Sequence, residues 1–498
     1  ELVKERNLIE EVIKTDGYEL PTRGRYRKAP HSNGLVVDTK NQTYHWNGRA
    51  EYGDVIAWVQ QHQRLDFKGA VEWLAQRAGL PAPTWGHGDQ VARLAARARE
   101  DALTVAARVF ASWFWRCPEA QEYAQRRGWT LQRDQDGDGD AGTAVRAMLG
   151  YSGQGTEAER DEMRRELSAA GVDLRSPVAV AITGMRGNVS SWAAEHNNLE
   201  LNEDWIINGY IPGMVGRGRL VYPHLHNGRV TYLSGRGIAE KMHYNLPEAL
   251  VGKRQPFFNH VYSAAAEAVV VVEGQADALS LAQWDIAAVA LAGVKLDDNL
   301  VALLCSRHRV LYVGLDMDIA GLINSWKTAD ALGPMARLLC VRDPLGMVFP
   351  ATAEMSQRER ELAERANGIA RGLARVAQVP LPDKLRGWDL EDGEPHPVKD
   401  ANDLLRAMSA HQVPAVEQTG LIGAVITLAP TFAEFAAAWA GGQSGAARDE
   451  ATRQALRVIS RLEDLEFAQY RAKLSKHLGV GVRELTNMLK ALEADEKQ

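Results

Sequence analysis

Six acidic residues in the second half of the chain have the types and spacing of a divalent-metal site. They occur in the stretches "VVVVEGQADAL", "YVGLDMDIAG" and "VKDANDLL" and are Glu273, Asp277, Asp316, Asp318, Asp400 and Asp403. Carboxylates that crowd together repel one another unless a cation neutralises them, and Mg²⁺ prefers hard oxygen ligands. The three stretches therefore predict a metal site for phosphoryl chemistry, although a single Asp after a strand, such as Asp277, can also serve only as a helix cap.

The elements around these acids explain why they would meet. The stretch "AVVVVEGQADALSLAQW" has the pattern of a buried strand, a loop and a helix, and "IAAVALAG" and "HRVLYVGLDMDIAGLINSWKTADALG" repeat it. Such units build a parallel sheet, in which residues just beyond the carboxyl ends of the strands converge on one edge. The sequence therefore predicts one site at the edge of an α/β domain, with a helical insertion at 351–378.

A basic stretch directly precedes the predicted sheet. Between Trp205 and Arg254 the chain has seven Lys and Arg residues and two acidic ones, whereas the whole chain has a formal net charge of -6. This local excess of positive charge predicts a patch that faces phosphates. A solvated hairpin with ordinary surface arginines is the alternative explanation.

Length and composition indicate a multidomain globular protein. The chain has 498 residues, of which 45% are hydrophobic and 24% are charged, and this length predicts three or four domains. Its apolar runs are too short for a membrane span and its three cysteines lie far apart, so we expect a cytoplasmic protein without membrane contact. The stretch 134–139 begins like a calcium-binding EF-hand loop, but Val145 stands where that loop needs Glu, so no calcium site is expected.

The acidic stretches, written as EGxxDxL, DxDxAG and KDxND, resemble the TOPRIM signature. DnaG-type primases, type IA and type II topoisomerases and some nucleases share this signature. The resemblance implies a TOPRIM domain that holds Mg²⁺ or Mn²⁺ through Glu273, Asp316, Asp318 and Asp400, with Asp277 as a further catalytic residue. The third stretch reads Asp-Ala-Asn-Asp where the family has Asp-Pro-Asp, so either Asp400 or Asp403 could be its functional acid.

The basic stretch narrows the resemblance to one branch of this group. Its pattern "GRGRLVYPHLHNGRVTYLSGRG", followed by "EKMHYNLPE" and "VGKRQPFFN", is similar in register to the basic subdomain of DnaG-type primases. One departure lies in the first acidic motif, which has Gln275-Ala276 where primases often have an aromatic residue. The resemblance implies residues that face template and nucleotide phosphates, and these are Arg127, Arg217, Arg219, Arg236, Lys241, Asn245 and Lys253.

The N-terminal part resembles the zinc ribbon of the same primases without its metal ligands. The stretches "YHWNGRAEYGDVIAWV" and "FKGAVEWLAQRAGL" align closely with that module. The four ligand positions are occupied by Lys28, His31, Trp46 and Arg49. One ligand of four cannot hold zinc, and the two basic residues would repel it, so we expect no zinc. An aromatic core would replace the metal, formed by Tyr44, Trp46, Tyr52 and Trp58.

Together these features predict a DnaG-like primase with a mixed α+β and α/β fold. We expect a zinc-ribbon-like module without zinc at 1–85, a basic catalytic subdomain at 86–262, a TOPRIM parallel-sheet domain at 263–412 and a helical region at 413–498. Its expected function is the metal-dependent synthesis of short primers on single-stranded DNA. The expected partners are the template, nucleoside triphosphates and a replicative helicase, the last through the helical region.

Two other functions fit parts of this pattern. A TOPRIM nuclease or topoisomerase-like enzyme would use the same acids, but a topoisomerase needs a nucleophilic Tyr on a separate domain and nothing in the sequence marks one. A catalytically idle accessory protein derived from a primase would explain the lost zinc ligands. The retention of all three acidic motifs argues against it, because an idle site has no use for so much charge repulsion.

Overall fold

The computed structural model describes residues 2–30, 32, 34–46, 51–63, 65, 67–80, 87–131, 142–196, 199–216, 218–226, 229–240, 242–262, 266–385, 387–389 and 395–495. The chain forms two compact units, residues 1–95 and 96–498. The mixed α/β class predicted from the sequence is confirmed. The predicted domain boundaries at 85, 262 and 412 stay predictions.

The first unit is a small antiparallel sheet with helices around it. Its elements are α1 (Leu2–Arg6), α2 (Ile9–Thr15), β1 (Tyr26–Lys28), β2 (Leu35–Asp38), β3 (Thr43–Trp46), β4 (Glu51–Asp54), α3 (Val55–His62) and α4 (Phe67–Arg77). The strands follow one another in the order β1-β2-β3-β4. Helix α3 begins where the sequence predicts it, because the Asp54 carboxylate accepts hydrogen bonds from the backbone N–H groups of Ile56 and Ala57 at 2.9 and 3.0 Å.

The core of this unit is a stack of aromatic rings. Trp46 lies parallel to Trp58 at a centroid distance of 5.9 Å, and His62 stacks on Trp58 at 3.8 Å. The Trp46 indole N–H also donates to the Ser32 carbonyl at 2.6 Å. Trp46, Trp58 and Tyr44 are all buried, as predicted. Among the former ligand positions Lys28 is exposed on β1, and His31 and Arg49 lie outside the described residues.

Tyr52 does not belong to this core, contrary to the sequence prediction. It pairs with the exposed His45 across strands β3 and β4, whereas the buried Tyr44 pairs with Gly53. Paired residues in a sheet share a face, and neighbouring residues of a strand point to opposite faces. Tyr52 is therefore half-buried on the face opposite to the aromatic stack.

The second unit begins with helices and a curved antiparallel hairpin. The helices are α5 (His87–Phe114), α6 (Pro118–Arg126), α7 (Thr143–Arg146), α8 (Glu157–Ala169), α9 (Pro177–Thr183), α10 (Val189–Glu195), α11 (Glu203–Asn208) and α12 (Glu248–Val251). The strands are β5 (Gly150–Tyr151), β6 (Met185–Arg186), β7 (Tyr210–Ile211), β8 (Arg219–His226), β9 (Arg229–Gly237) and β10 (His243–Asn245). Four of these strands form a sheet in the order β10-β9-β8-β5, and β6 pairs with β7. The basic stretch therefore lies mainly on the β8–β9 hairpin and β10.

A mostly parallel five-stranded sheet follows. Its elements are β11 (Phe257–Phe258), β12 (Ala268–Val272), α13 (Gln275–Gln283), β13 (Ala288–Ala290), α14 (Asp298–Arg307), β14 (Val310–Val313), α15 (Ile319–Leu332) and β15 (Arg337–Leu338). The strand order is β11-β13-β12-β14-β15, and only the edge strand β11 runs antiparallel to its neighbour. The two neighbouring central strands β12 and β14 thus end at the same edge, as the sequence predicts.

The rest of the chain is largely helical. It comprises α16 (Gln357–Leu373), a 3₁₀ turn (Asp383–Leu385), β16 (Gly387–Asp389), β17 (Pro395–Pro397), α17 (Ala401–Ala410), α18 (Ala415–Thr427), α19 (Phe432–Gly441), α20 (Ala446–Ile459), α21 (Asp464–Leu478) and α22 (Val482–Asp495). Helix α16 confirms that the segment 351–378 is helical in large part. Trp326 of α15 contacts Phe432, Phe435 and Trp439 of α19 at centroid distances of 4.8 to 5.2 Å. Among the described helices, none has the length and apolar character that crossing a bilayer requires.

Candidate active site

The first acidic motif follows strand β12. Glu273 is exposed directly after the strand, and helix α13 begins with Gly274 without a side-chain cap. Asp277 lies in the first turn of α13 with 6% of its surface exposed, and its carboxylate accepts a hydrogen bond from the backbone N–H of Asn402 at 3.2 Å. Asp277 therefore does not cap its own helix but joins α13 to the start of α17.

The second motif follows the neighbouring strand β14. Asp318 caps α15 by accepting a hydrogen bond from the Gly321 N–H at 2.9 Å, and Asp316 accepts one from the Lys399 ammonium at 2.6 Å. A Cβ atom on Gly321 would lie 1.9 Å from the Asp316 carbonyl oxygen. The glycine of the DxDxAG motif is required because the helix starts in contact with the loop that carries Asp316.

The third motif completes a group of three carboxylates. Asp400 caps α17 through a 2.7 Å hydrogen bond from the Asp403 N–H. Oxygen atoms of Asp277, Asp316 and Asp400 all lie within 4.8 Å of one another. The structure thus brings Asp400, rather than Asp403, into the group, with Glu273 and Asp318 close enough for their charges to act on it.

Crowding of negative charge alters the acidity of these groups. Burial, followed by the charges of Asp400 and Asp316, raises the pKa of Asp277 well above its usual range. Burial raises the pKa of Asp316, with Asp400 adding to the shift and the Lys399 hydrogen bond opposing it. Loss of solvent around its carboxylate and the charge of Asp316 also raise the pKa of Glu273. Burial and Asp400 raise the pKa of Asp403 to about 6.

The donor set fits a hard divalent cation. The carboxylates of Asp277, Asp316 and Asp400 converge from three separate segments, and the raised pKa values of Asp277 and Asp316 show that these two groups would gain from a nearby positive charge. Asp318 and Asp400 each use one oxygen as a helix cap, which fixes the carboxylate and leaves the other oxygen for a metal. The residues that would hold the ion are Asp277, Asp316 and Asp400, with Glu273 and Asp318 at the rim.

Two residues of the third motif, Lys399 and Asn402, were missed by the sequence reasoning. The Lys399 ammonium lies 2.6 Å from Asp316 and 3.6 Å from Asp400. Asn402 is 2% exposed; its amide accepts a hydrogen bond from the Arg127 guanidinium at 2.7 Å and donates one to the Arg127 carbonyl at 3.1 Å. Both stand inside the KDxND motif, so their position beside its acids was the available signal.

Arg127 and Arg219 are held within the protein. Arg127 ends α6 and is bound by Asn402, and a Cβ atom on Gly128 would lie 2.8 Å from Leu405 of α17. Arg219 is 8% exposed; it donates to the Met214 carbonyl at 2.8 Å and lies 4.3 Å from the centre of the Tyr244 ring. A buried guanidinium engaged in this way is badly placed to meet a template phosphate.

The other predicted phosphate-binding residues are more accessible. Arg236 and Asn245 are half-buried on the paired strands β9 and β10, and Lys253 is exposed. Arg127, Arg236 and Asp277 all lie close enough to the buried Tyr222 hydroxyl to act on its pKa, which burial raises. The guanidinium of Arg236 and the carboxylate of Asp277 thus both act on the Tyr222 hydroxyl. Arg217 and Lys241 lie outside the described residues.

A chain of buried hydrogen bonds links the basic hairpin to the first acidic motif. The Gln275 amide donates to the Ser234 hydroxyl at 2.8 Å, and that hydroxyl lies 2.8 Å from Nε2 of His224. Nδ1 of His224 lies 2.7 Å from the Gln255 carbonyl and must donate to it, so Nε2 accepts from Ser234. Gln275 is buried at the start of α13. It anchors the loop of Glu273 to the strand that carries Arg236.

Comparison with known proteins supports the assignment of the parallel-sheet domain. Residues 270–337 match the family model described as Toprim-like. No curated protein matches the chain.

The chain is similar, at low sequence identity, to solved structures of primases. The Aquifex aeolicus primase, comprising zinc-binding and RNA polymerase domains, is 17% identical, with 97% of each chain covered and a TM-score of 0.47. The E. coli primase catalytic core is 17% identical, covering 77% of this chain and 98% of its own, with a TM-score of 0.43. A DnaG primase catalytic domain bound to single-stranded DNA is 18% identical, covering 78% and 99%, with a TM-score of 0.45.

The matched segment spans β12 to β15 and contains the first two acidic motifs. The structure adds the third motif at the same sheet edge. Residues 270–337 therefore match the Toprim-like family model, and the TOPRIM recognition made from the acidic motifs is confirmed for this domain.

Proposed function

We propose that this protein is a DnaG-type primase that makes short primers on single-stranded DNA. The observation that carries the proposal is the convergence of Asp277, Asp316 and Asp400 at the edge of a Toprim-like sheet. The basic β8–β9 hairpin, which carries Arg236, is hydrogen-bonded to the segment of the first acidic motif. Carboxylates for a metal and an adjacent cationic surface are what template-directed nucleotidyl transfer needs.

In this reaction the 3′-oxygen of one nucleotide attacks the α-phosphorus of the next. An O–P bond forms while the bond to pyrophosphate breaks. When bound, Mg²⁺ or Mn²⁺ would neutralise the charge that develops on the phosphates. Arg236 and Lys253, with Arg217 and Lys241, would hold the phosphates of nucleotide and template. Arg127 and Arg219 would act by positioning, Arg127 through Asn402 and Arg219 through the Met214 loop.

The wider partners follow from this function. The substrates would be nucleoside triphosphates and the template single-stranded DNA, and the site of action would be the cytoplasm. The helical region from α18 onwards would bind a replicative helicase, with α19 fixed to α15 by its aromatic contacts.

The test is primer synthesis from labelled nucleotides on a single-stranded template with Mg²⁺ or Mn²⁺. We expect Asp316→Asn to reduce product by at least roughly 100-fold, because the amide keeps the shape but cannot hold the metal. The matched control is Asp297→Asn. Asp297 also follows a strand and caps α14 by accepting from the Leu300 N–H at 2.9 Å, but it is not in the carboxylate group.

Asparagine is as good a helix cap as aspartate, so the control should retain near wild-type synthesis. Full synthesis by Asp316→Asn would refute the site. Strand scission of the template without primer synthesis would instead identify the enzyme as a nuclease.

A further inference from the structure

Lys399 lies among the carboxylates proposed to hold the metal. Its ammonium donates to Asp316 at 2.6 Å and is 3.6 Å from Asp400. The two carboxylate side chains are 16% and 13% exposed, whereas the lysine side chain is 43% exposed. The lysine thus reaches into the group from its solvent side.

The backbone at Lys399 is fixed to the second motif. The Lys399 carbonyl accepts a hydrogen bond from the Met317 N–H at 2.7 Å. Because Met317 follows Asp316 directly, the lysine stem starts from a defined place beside that carboxylate. Asp316 and Asp400 are held by their own loops, so the long lysine side chain is the member of the group that can move.

An ammonium and a divalent ion compete for the same carboxylate oxygens. Each cation repels the other at these distances, and Asp400 is held in place as the cap of α17. The Lys399 ammonium can move away from the carboxylates, because the lysine stem is flexible and its side chain is already partly exposed to solvent.

We propose that Lys399 is a resident cation of the acidic group, which a divalent ion displaces when it binds. Lys399 then sets the metal affinity of the free protein. It stabilises the carboxylates before the metal binds, and it weakens metal binding because its ion pairs must first be broken. It is a positioning residue. The inference rests on the metal site of the proposed function but not on primer synthesis.

The experiment is a titration of the full chain with Mn²⁺ alone, without nucleotide or template, in which free Mn²⁺ is followed by electron paramagnetic resonance. Lys399→Met removes the charge and keeps most of the stem. It should bind Mn²⁺ roughly tenfold more tightly than the wild type. Lys399→Arg keeps the charge and should stay within about threefold of the wild type. The control is Lys327→Met, on the exposed side of α15, which should leave the affinity unchanged.

Melting temperatures of the same variants provide a second readout. Without metal, Lys399→Met should melt below the wild type because the carboxylates lose their counter-ion, and added Mn²⁺ should raise its melting temperature by more. An affinity of Lys399→Met equal to or weaker than that of the wild type overturns the proposal. So does an equal gain in Lys399→Arg.

Failure of this inference differs from failure of the proposed function. If Asp316→Asn abolishes primer synthesis while Lys399→Met binds Mn²⁺ like the wild type, the proposed primase function is supported and the displacement of Lys399 is refuted. If Lys399→Met binds Mn²⁺ more tightly but the wild type makes no primers, the displacement is supported and the primase function is refuted.

Discussion

At the scale of single residues, Asp318 and Asp400 combine two tasks. Each caps a helix with one carboxylate oxygen, while Asp400 also belongs to the group of three carboxylates and the charge of Asp318 acts on Asp316. Substitution by asparagine separates the tasks, because an amide still caps but carries no charge. This permits mutations that test chemistry without disturbing the helices.

Substitution by asparagine also tests which acid of the third motif, Asp400 or Asp403, is the functional one. We expect Asp400→Asn to reduce primer synthesis by roughly 100-fold, because Asp400 belongs to the carboxylate group. Asp403→Asn should reduce it by less than about tenfold, since Asp403 is not one of the three carboxylates whose oxygen atoms lie together. The measurement is the initial rate of primer synthesis at saturating Mg²⁺. A larger loss in Asp403→Asn than in Asp400→Asn would reverse the assignment.

Trp46 should be essential to the stability of the first unit. Its ring is buried, stacks on Trp58 and hydrogen-bonds the Ser32 carbonyl. Trp46→Ala should lower the free energy of unfolding by about 3–5 kcal/mol, the range for a large buried aromatic side chain. Urea unfolding of the full chain, followed by fluorescence, measures this loss. Trp73→Ala is the control: Trp73 is only half-buried on α4, so its loss should cost clearly less.

The acidic residues that the structure groups at the sheet edge could be located from the sequence, but the side chains that contact them could not. Acidic motifs can be recognised in a sequence because carboxylates after strands have few structural reasons to cluster. Arg219 shows the limit: its motif position predicts a phosphate contact, whereas the structure buries it against Tyr244. Whether an arginine faces solvent depends on the packing of the neighbouring loop, which no local pattern encodes.

At the scale of elements, the contact between hairpin β8–β9 and helix α13 depends on a neutral histidine. His224 is completely buried, and burial lowers its pKa to about 4. A charged ring could no longer accept a hydrogen bond from Ser234. The folded state therefore resists protonation of His224, while the unfolded chain takes up a proton near the ordinary histidine pKa.

This difference predicts a pH dependence of stability. A histidine with a lowered folded pKa stabilises the protein fully above the unfolded value of 6.5, and this contribution is lost as the pH falls towards 4. Between about pH 7.5 and pH 5 the wild type should lose about 2 kcal/mol of unfolding free energy through His224.

Urea unfolding at these pH values measures the loss in the wild type and in two variants. His224→Asn cannot be protonated, so it should lack this part of the pH dependence, although it will be less stable throughout. His411→Asn, at an exposed histidine, should behave like the wild type. An unchanged pH dependence in His224→Asn would show that the histidine is not neutral in the fold.

The helices and strands that position the acids were predictable because their signals are local. Strand β12 is a run of valines, and α15 starts at an aspartate cap. The link through Gln275, Ser234 and His224 was not predictable, since its members lie in three separate segments and each is an ordinary polar residue in the sequence. Only the folded arrangement shows that they satisfy one another.

At the scale of the whole molecule, charge is unevenly distributed. The chain is net negative, so if it acts as the proposed primase, its affinity for a polyanionic template would have to come from the local basic surface. Phosphate contacts release counter-ions from DNA, which makes affinity fall with salt in proportion to the number of contacts.

The salt dependence of DNA affinity should differ between variants of Arg236 and Arg219. Arg236→Ala should weaken binding of single-stranded DNA and lower the slope of log affinity against log salt by roughly 0.7 to one unit. Arg219→Ala should leave the slope unchanged and instead lower the melting temperature, because its guanidinium is bound inside the protein. Fluorescence anisotropy of a labelled oligonucleotide at several salt concentrations measures both slopes. A reduced slope in Arg219→Ala would place that residue on the DNA path.

The helical character of the C-terminal region was predictable from its sequence, but the attachment of its helices was not. Their sequence indicates helices and a break near 440–447, which agrees with the end of α19 at Gly441 and the start of α20 at Ala446. Nothing in that pattern indicates that Phe432 and Trp439 would contact Trp326 of α15. Aromatic residues on a helix favour burial, but their partner is set by the tertiary fold.

The aromatic stack of the first unit also determines which chemical stresses this part of the protein can withstand. A zinc ribbon fails when oxidants convert its thiolates into disulfides or sulfenic acids, or when a cell runs short of zinc. All three cysteines, Cys117, Cys305 and Cys340, lie beyond residue 95, so the first unit offers an oxidant no thiol. Its tryptophan stack depends on neither redox state nor metal supply. We therefore expect this unit to stay folded during oxidative stress and zinc starvation.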